Sequence, residues 1–168
     1  SVDAVTADSY SESNRDSQEN LNDTVFATGQ SFTGTAARLS SMTFWLQKVG
    51  TPAGTMTAKL YLATGAAGSE KPTGAALATS VAKTANNIGT SWGLVKFDFV
   101  TTNQYTMSAG TKYVAVLDYA SGTASAYVQV GLDASSPGHS NCNQSYYSSS
   151  TWTAVSGKDL CSYVRTGA

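Results

Sequence analysis

The feature that most limits what this chain can become is a strict alternation of apolar and polar residues, recurring in short runs along its length. In residues 39–48 (LSSMTFWLQK) Met42, Phe44 and Leu46 fall on one side of an extended ribbon. In 55–62 (TMTAKLYL) Met56, Ala58, Leu60 and Leu62 do the same. SWGLVKFDFV sets Val95, Phe97 and Phe99 against Leu94, Lys96 and Asp98, and ASAYVQVGLD sets Val128, Val130 and Leu132 against Tyr127 and Gln129. A period of two sends successive side chains to opposite faces, so each run is a strand with one dry and one wet side. The VGTPAG segment joining the first two runs carries Gly and Pro, which favour tight turns, and predicts that 39–62 pairs as an antiparallel hairpin.

Further strands are expected in TVFATGQSFTG, around 77–81, in TKYVAVLDYA, as a short hairpin in YYSSSTWTAV, and in LCSYVRT. No stretch has the periodicity of an amphipathic helix. About nine or ten strands separated by Gly-, Ser- and Pro-rich turns predict an all-β fold, an antiparallel two-sheet β-sandwich of jelly-roll type. Residues 1–168 read as a single domain, in which 1–23 is a loop-like or edge-strand lead-in. The Ser1 start, without Met or an apolar leader, reads as a piece of a longer, multidomain protein.

Charge narrows the ligand classes. Only 12% of residues are charged and the formal net charge is -1, so there is no basic stripe to neutralise a phosphate backbone, and nucleic acid is excluded as a partner. No run of about 18 apolar residues exists, so no helical membrane span is expected. A low-charge surface of Ser, Thr, Gly and Asn suits a neutral partner. A bridge between Cys142 and Cys161 would close a loop of about 20 residues and add roughly 3 kcal/mol. Such a disulfide implies an oxidising, extracellular compartment. Asn22 and Asn143 begin formal glycosylation triplets.

Catalytic constellations are sparse. His139 is the one histidine and lies in a loop, with no Gly-x-Ser-x-Gly elbow, so a Ser-His-Asp triad is not expected. One His and two Cys are too few for a zinc site. Beyond the first loop the acids are Glu70, Asp98, Asp118, Asp133 and Asp159, and none carries a glycosidase signature. Asp8, Glu12, Asn14, Asp16 and Asp23 offer hard oxygen ligands but not the spacing of a calcium loop, and read as a solvated segment. The chain is therefore not expected to be an enzyme.

Aromatic residues point elsewhere. Sugar rings have apolar C–H faces edged by hydroxyls, and a flat aromatic ring with polar neighbours grips both. Trp45 faces away from Phe44 and Leu46, and Tyr61 away from Leu60 and Leu62. If 39–62 is a hairpin, Trp45, Lys59 and Tyr61 share one exposed surface, which Tyr127 and Gln129 join from a later strand. The competing structural explanation is that these rings are covered, or only support the sheet through cross-strand pairs. Trp152 reads as a packing residue, Trp92 as a cap on the sandwich, and Tyr146-Tyr147 as a second possible platform.

Gln30-Ser31-Phe32, residues 39–46, Pro52 to Thr55, Ala58 to Tyr61, Leu77 to Thr79, Phe97 to Phe99, Ala109 to Tyr113, Trp152 and Asp159-Leu160 together resemble the non-catalytic jelly-roll modules of secreted bacterial proteins. These include choice-of-anchor domains and carbohydrate-binding modules. The resemblance implies a secreted or cell-surface module that binds neutral polysaccharide or glycan, for adhesion or attachment. It also implies a structural calcium ion, held by Asp133 or Asp159. The alternative is a structural or assembly domain of an extracellular or viral appendage with no small ligand.

Overall fold

The computed structural model describes residues 4–135 and 137–167. Among these, the chain forms strands and short 3-10 turns only. The strands are β1 (Val5–Tyr10), β2 (Ser17–Leu21), β3 (Val25–Thr33), β4 (Leu39–Val49), β5 (Thr55–Thr64), β6 (Lys71–Thr79) and β7 (Lys83–Thr84), followed by β8 (Gly93–Asp98), β9 (Lys112–Asp118), β10 (Tyr127–Asp133), β11 (Gln144–Ser148), β12 (Thr151–Val155), β13 (Asp159–Leu160) and β14 (Ser162–Thr166). The lead-in thus supplies two edge strands, joined by a 3-10 turn at 12–14.

The strands form two antiparallel sheets packed face to face. The second sheet runs β12-β11-β3-β9-β5-β6, with β7 beside β5. The first centres on β4, which has β8 along one side. On its other side β10 takes the end from Leu46 to Val49, and β14 takes the end from Leu39 to Phe44. β4 and β10 therefore diverge like a fork, and the segment from β13 to β14 fills the gap. At the crotch the Cys161 N–H donates to the Gly131 carbonyl at 3.0 Å, and the Cys161 carbonyl accepts from the Trp45 N–H at 3.4 Å. β1 borders β14 and β2 borders β10. From β3 to β5 and again from β8 to β11 the chain changes sheet at every connection, which is jelly-roll winding.

The predicted hairpin at 39–62 does not form. β4 pairs with β8, β10 and β14, whereas β5 pairs with β6, β7 and β9. Residues 50–54 arch between the sheets, with Gly50 and Gly54 at φ of 68° and 75°. Alternation dictates which side of each strand is dry but not its neighbour. Two apolar faces are satisfied equally by lying side by side or by facing one another across a core, and here they face one another.

That core holds Met42, Phe44, Leu46, Phe97, Val128 and Val130 from the first sheet against Phe32, Met56, Leu60, Tyr113 and Leu117 from the second, all essentially without exposure. Phe44 meets Phe97 edge-on at 6.1 Å. Each such fully buried side chain contributes about 1.5–3 kcal/mol. One end of the interior is polar: Gln30 on β3 donates to Asp159 at 2.7 Å and accepts from the Leu160 N–H at 2.7 Å, tying the sheets together.

The expected disulfide is absent, and Cys142 and Cys161 are both free thiols. Cys161 is fully buried within the first sheet beside Gly131, while Cys142 sits half-buried in the loop that leads into β11 of the second. The two sulfurs are not bonded, and the argument from a bridge to an oxidising compartment falls. Asn143 is also wholly buried, its side chain bonded to Glu70 and Gln144, so its glycosylation triplet is inaccessible.

Candidate functional site

The sandwich separates the aromatic residues singled out above. Trp45, Tyr127 and Gln129 lie on the outer face of the first sheet; Lys59 and Tyr61 lie on the outer face of the second. They do not share a surface, because β4 and β5 belong to different layers.

On the first sheet Trp45 faces outward as its alternation requires, but its surroundings occupy it. Its ring stacks on Trp92 at 6.4 Å with planes 11° apart, and the Arg15 guanidinium lies 4.5 Å from the Trp92 ring centre. Gly131 makes room for this stack: a Cβ there would lie 2.6 Å from Trp45 Cδ1 and 2.9 Å from Arg15 Cδ. Gln129 is likewise engaged, accepting from Gln47 and donating to Asn20.

The second sheet presents a different arrangement. β3 and β9 contribute a floor of small residues, Ala27, Gly29, Val114 and Val116, whose closeness depends on Gly29. A Cβ at that position would meet Val114 Cγ1 at 2.6 Å and Val116 Cγ2 at 2.9 Å. Around the floor stand Tyr61 from β5, Tyr147 from β11 and Trp152 from β12, all half-buried. Trp152 meets Tyr147 at 5.4 Å and Tyr61 at 6.3 Å, both at steep angles. β6 closes one flank: its register passes from Leu62↔Thr73 to Leu60↔Ala78, so the intervening residues bulge out, with Gly74 at φ 71° lining the depression. The result is an open groove of about 250 Å³ bounded by Ala27, Tyr61, Gly74, Val116, Asp118, Tyr147 and Trp152.

Polarity enters at one end. Lys59 Nζ donates to Asp118 at 2.6 Å, and both side chains keep part of their surface in water. Burial pulls the Lys59 ammonium down, but the Asp118 carboxylate outweighs it and holds the group above its usual value. Burial also pushes the Tyr61 hydroxyl up. The groove therefore offers three neutral ring faces and one ion pair with spare hydrogen-bonding capacity.

Trp152, expected to be a packing residue, does pack against this floor and at the same time lines the groove. Its position follows from the β11–β12 hairpin, where Ser149 and Ser150 both take positive φ and set Tyr147 directly opposite Trp152. The signal was present in the sequence: in a two-residue turn, residues equidistant from it share a face. Tyr147, one of the two platform candidates in Tyr146-Tyr147, does line the site.

The acidic residues are engaged with protein partners. Asp133 accepts from the Tyr10 hydroxyl at 2.6 Å and the Ser135 N–H at 3.1 Å, and Asp159 accepts from Gln30 and from the His139 N–H at 3.3 Å. Burial pushes the Asp159 carboxyl up. Asp8 pairs with His139, Asp16 accepts from Ser135, and Glu12 accepts from the Tyr163 hydroxyl. Among the described residues no group of three His, Cys, Asp or Glu is placed to hold a metal ion.

Fold and groove together define a jelly-roll sandwich with an aromatic-lined depression on one outer face. No family model matches the sequence, and no curated protein matches it. Among solved structures, the chain is similar to one that contains the cysteine protease and lectin-like domains of Cwp84, a surface layer associated protein of Clostridium difficile. Identity is 11% and the TM-score 0.49, over 85% of this chain and 32% of that one. The present chain thus spans about a third of the length of that solved chain.

Proposed function

We propose that this chain is a non-catalytic module that binds neutral carbohydrate in the groove on the outer face of its second sheet. The observation that carries the reading is the convergence of Tyr61, Tyr147 and Trp152 from three strands over a floor of small side chains, beside the Lys59–Asp118 pair. Ring faces of this kind supply area to sugar C–H surfaces at low entropic cost. The ion pair supplies a donor and acceptors to hydroxyls without requiring charge on the ligand. The net charge of -1 suits the same partner.

Affinity electrophoresis or calorimetry against a panel of neutral polysaccharides tests this. The native protein is expected to be retained by at least one of them. Trp152→Ala and Tyr61→Ala are each expected to weaken that retention by about tenfold, which corresponds to about 1.4 kcal/mol, while Trp45→Ala leaves it within about twofold, well under that step. A protein that ignores every polysaccharide and instead forms regular multimers would replace this reading with the assembly one.

A further inference from the structure

At the rim of the sandwich, away from the groove, the loop before β11 joins strands from both sheets. His139 Nε2 lies 2.9 Å from both carboxylate oxygens of Asp8 on β1, and its ring stacks on Tyr10 at 5.9 Å. The Tyr10 hydroxyl in turn accepts from the Gly138 N–H at 3.0 Å, so the imidazole is fixed from two directions. Cys142, three residues further along the same loop, also interacts electrostatically with the ring. Lys112 Nζ, from β9, lies 3.5 Å from Cys142 Sγ, held there by the Asn141 carbonyl at 2.8 Å and Glu70 at 3.2 Å. Asp8 and Cys142 raise the imidazole from 6.5 to about 10, so it is cationic at neutral pH. One half-exposed sulfur is thus faced by two cations, and a carboxylate orients one of them.

A Cys-His-Asp order of contacts is the arrangement of a nucleophile. Acyl transfer would also need backbone N–H groups free to hold an oxyanion, and here they are committed. The Cys142 N–H donates to the His139 carbonyl at 3.3 Å and the Asn143 N–H to Ser31 Oγ at 2.9 Å. Attack on a disulfide sulfur requires no such hole: the charge that develops sits on a leaving thiolate, which needs only a proton or a cation beside it.

We infer that Cys142 is a reactive thiol that undergoes exchange with low-molecular-weight disulfides, assisted by His139 and Lys112 and positioned by Asp8. The Cys142 thiol loses its proton to water and its sulfur attacks one sulfur of R–S–S–R; a Cys142–S–S–R bond forms, the original S–S bond breaks, and the departing R–S⁻, stabilised beside the His139 and Lys112 cations, takes a proton from water. Cys142 is oxidised from thiol to disulfide, and the departing sulfur is reduced to thiol. The second cysteine does not take part, since Cys161 has no exposure and burial pushes its thiol up to about 12.

Native protein is treated at pH 7 with dithiodipyridine, the rate is followed by release of thiopyridone, and the site is located by peptide mass spectrometry. A parallel incubation uses oxidised glutathione. One equivalent is expected to react at Cys142, at least about tenfold faster than either cysteine in the denatured chain, with a glutathionyl mass added at the same position. Cys142→Ser is expected to abolish the fast phase and Cys161→Ser to leave it intact. His139→Gln and, separately, Lys112→Gln are expected to slow it, measured well below each variant's own melting temperature and against that variant's denatured chain, so that lost stability and lost assistance are read apart. Asp8→Asn should slow it through the ring it orients, with the rate partly restored in Asp8→Glu. If Cys142 in the native protein reacts no faster than in the denatured chain, the inference is overturned; that comparison uses the native sequence alone and depends on no variant folding.

Discussion

The outer faces of the two sheets carry similar material and put it to different use. Each has aromatic side chains next to a cation and a glycine that admits them closely. On the first sheet, Gly131 lets Trp45 settle against the strand beneath Trp92 and Arg15, and the rings spend their faces on one another. On the second, Gly29 sits in the floor, so its lack of a side chain keeps the floor low while Tyr61, Tyr147 and Trp152 stand around it. A parallel stack consumes ring area, whereas steep contacts at the margin of a trough leave ring area facing it. Exposure of a single aromatic therefore says less about recognition than what lies next to it.

The rim serves as a control for both faces, and it carries the largest expected effect. His139 is raised from 6.5 to about 10 on folding. Its stabilisation is complete below 6.5 and is lost as pH climbs through about 10. Melting temperature should fall by several degrees over that window, and the fall should vanish in His139→Gln. Next come the glycines. Gly29→Ala and Gly131→Ala each press a methyl into neighbours closer than 3.0 Å, at a cost of about 1–3 kcal/mol by denaturant unfolding. Only Gly29→Ala is expected to weaken polysaccharide retention as well; equal losses of binding from both would break the contrast between the faces.

Smaller effects sharpen it. Arg15→Ala should cost about 0.5–1 kcal/mol through the lost contact with Trp92, with carbohydrate retention unchanged. Lys59→Met should move stability by less than about 1 kcal/mol, because the pair is partly solvated. Its effect on binding should be the larger of its two, seen as weaker retention by the same polysaccharide. Reversal of that order would make the pair a structural clamp rather than part of the groove.

Much of the architecture was legible in the order of residues. The alternation in β4, β5, β8 and β10 assigns the inward residues correctly except Leu62, which is 39% exposed near the end of β5 where the register with β6 shifts. Burial of one face is a local property of each strand only where a partner layer covers it. Pairing is not local. Whether Gly50 to Gly54 folds back as a hairpin or arches over the core depends on partners as distant as β14 and β9, so alternation alone groups Trp45 with Tyr61 although a whole sandwich lies between them. The groove was partly readable: Tyr61, Lys59 and Tyr147 stand out by their wet faces, and the Ser149-Ser150 turn implies Trp152. Ala27, Gly29 and Val116 give no such sign, since a small residue in a strand becomes a floor only once its neighbours are known. The Cys142–His139–Asp8 cluster was likewise unreadable, because it joins β1 to a loop more than a hundred positions away.

The wedge formed by β13 and β14 in the fork between β4 and β10 has a consequence for how the molecule assembles. β1 has β14 as its hydrogen-bonded partner among the described residues, and the far half of β4 takes β14 on the side opposite β8. A ribosome delivering this chain would leave Met42 and Phe44 without their closing strand, and β1 without any, until almost the whole of it had emerged. Topologies dominated by such remote pairings fold slowly. The first sheet thus waits for its final segment, while β3, β9 and β5 in the second can pair with one another well before that.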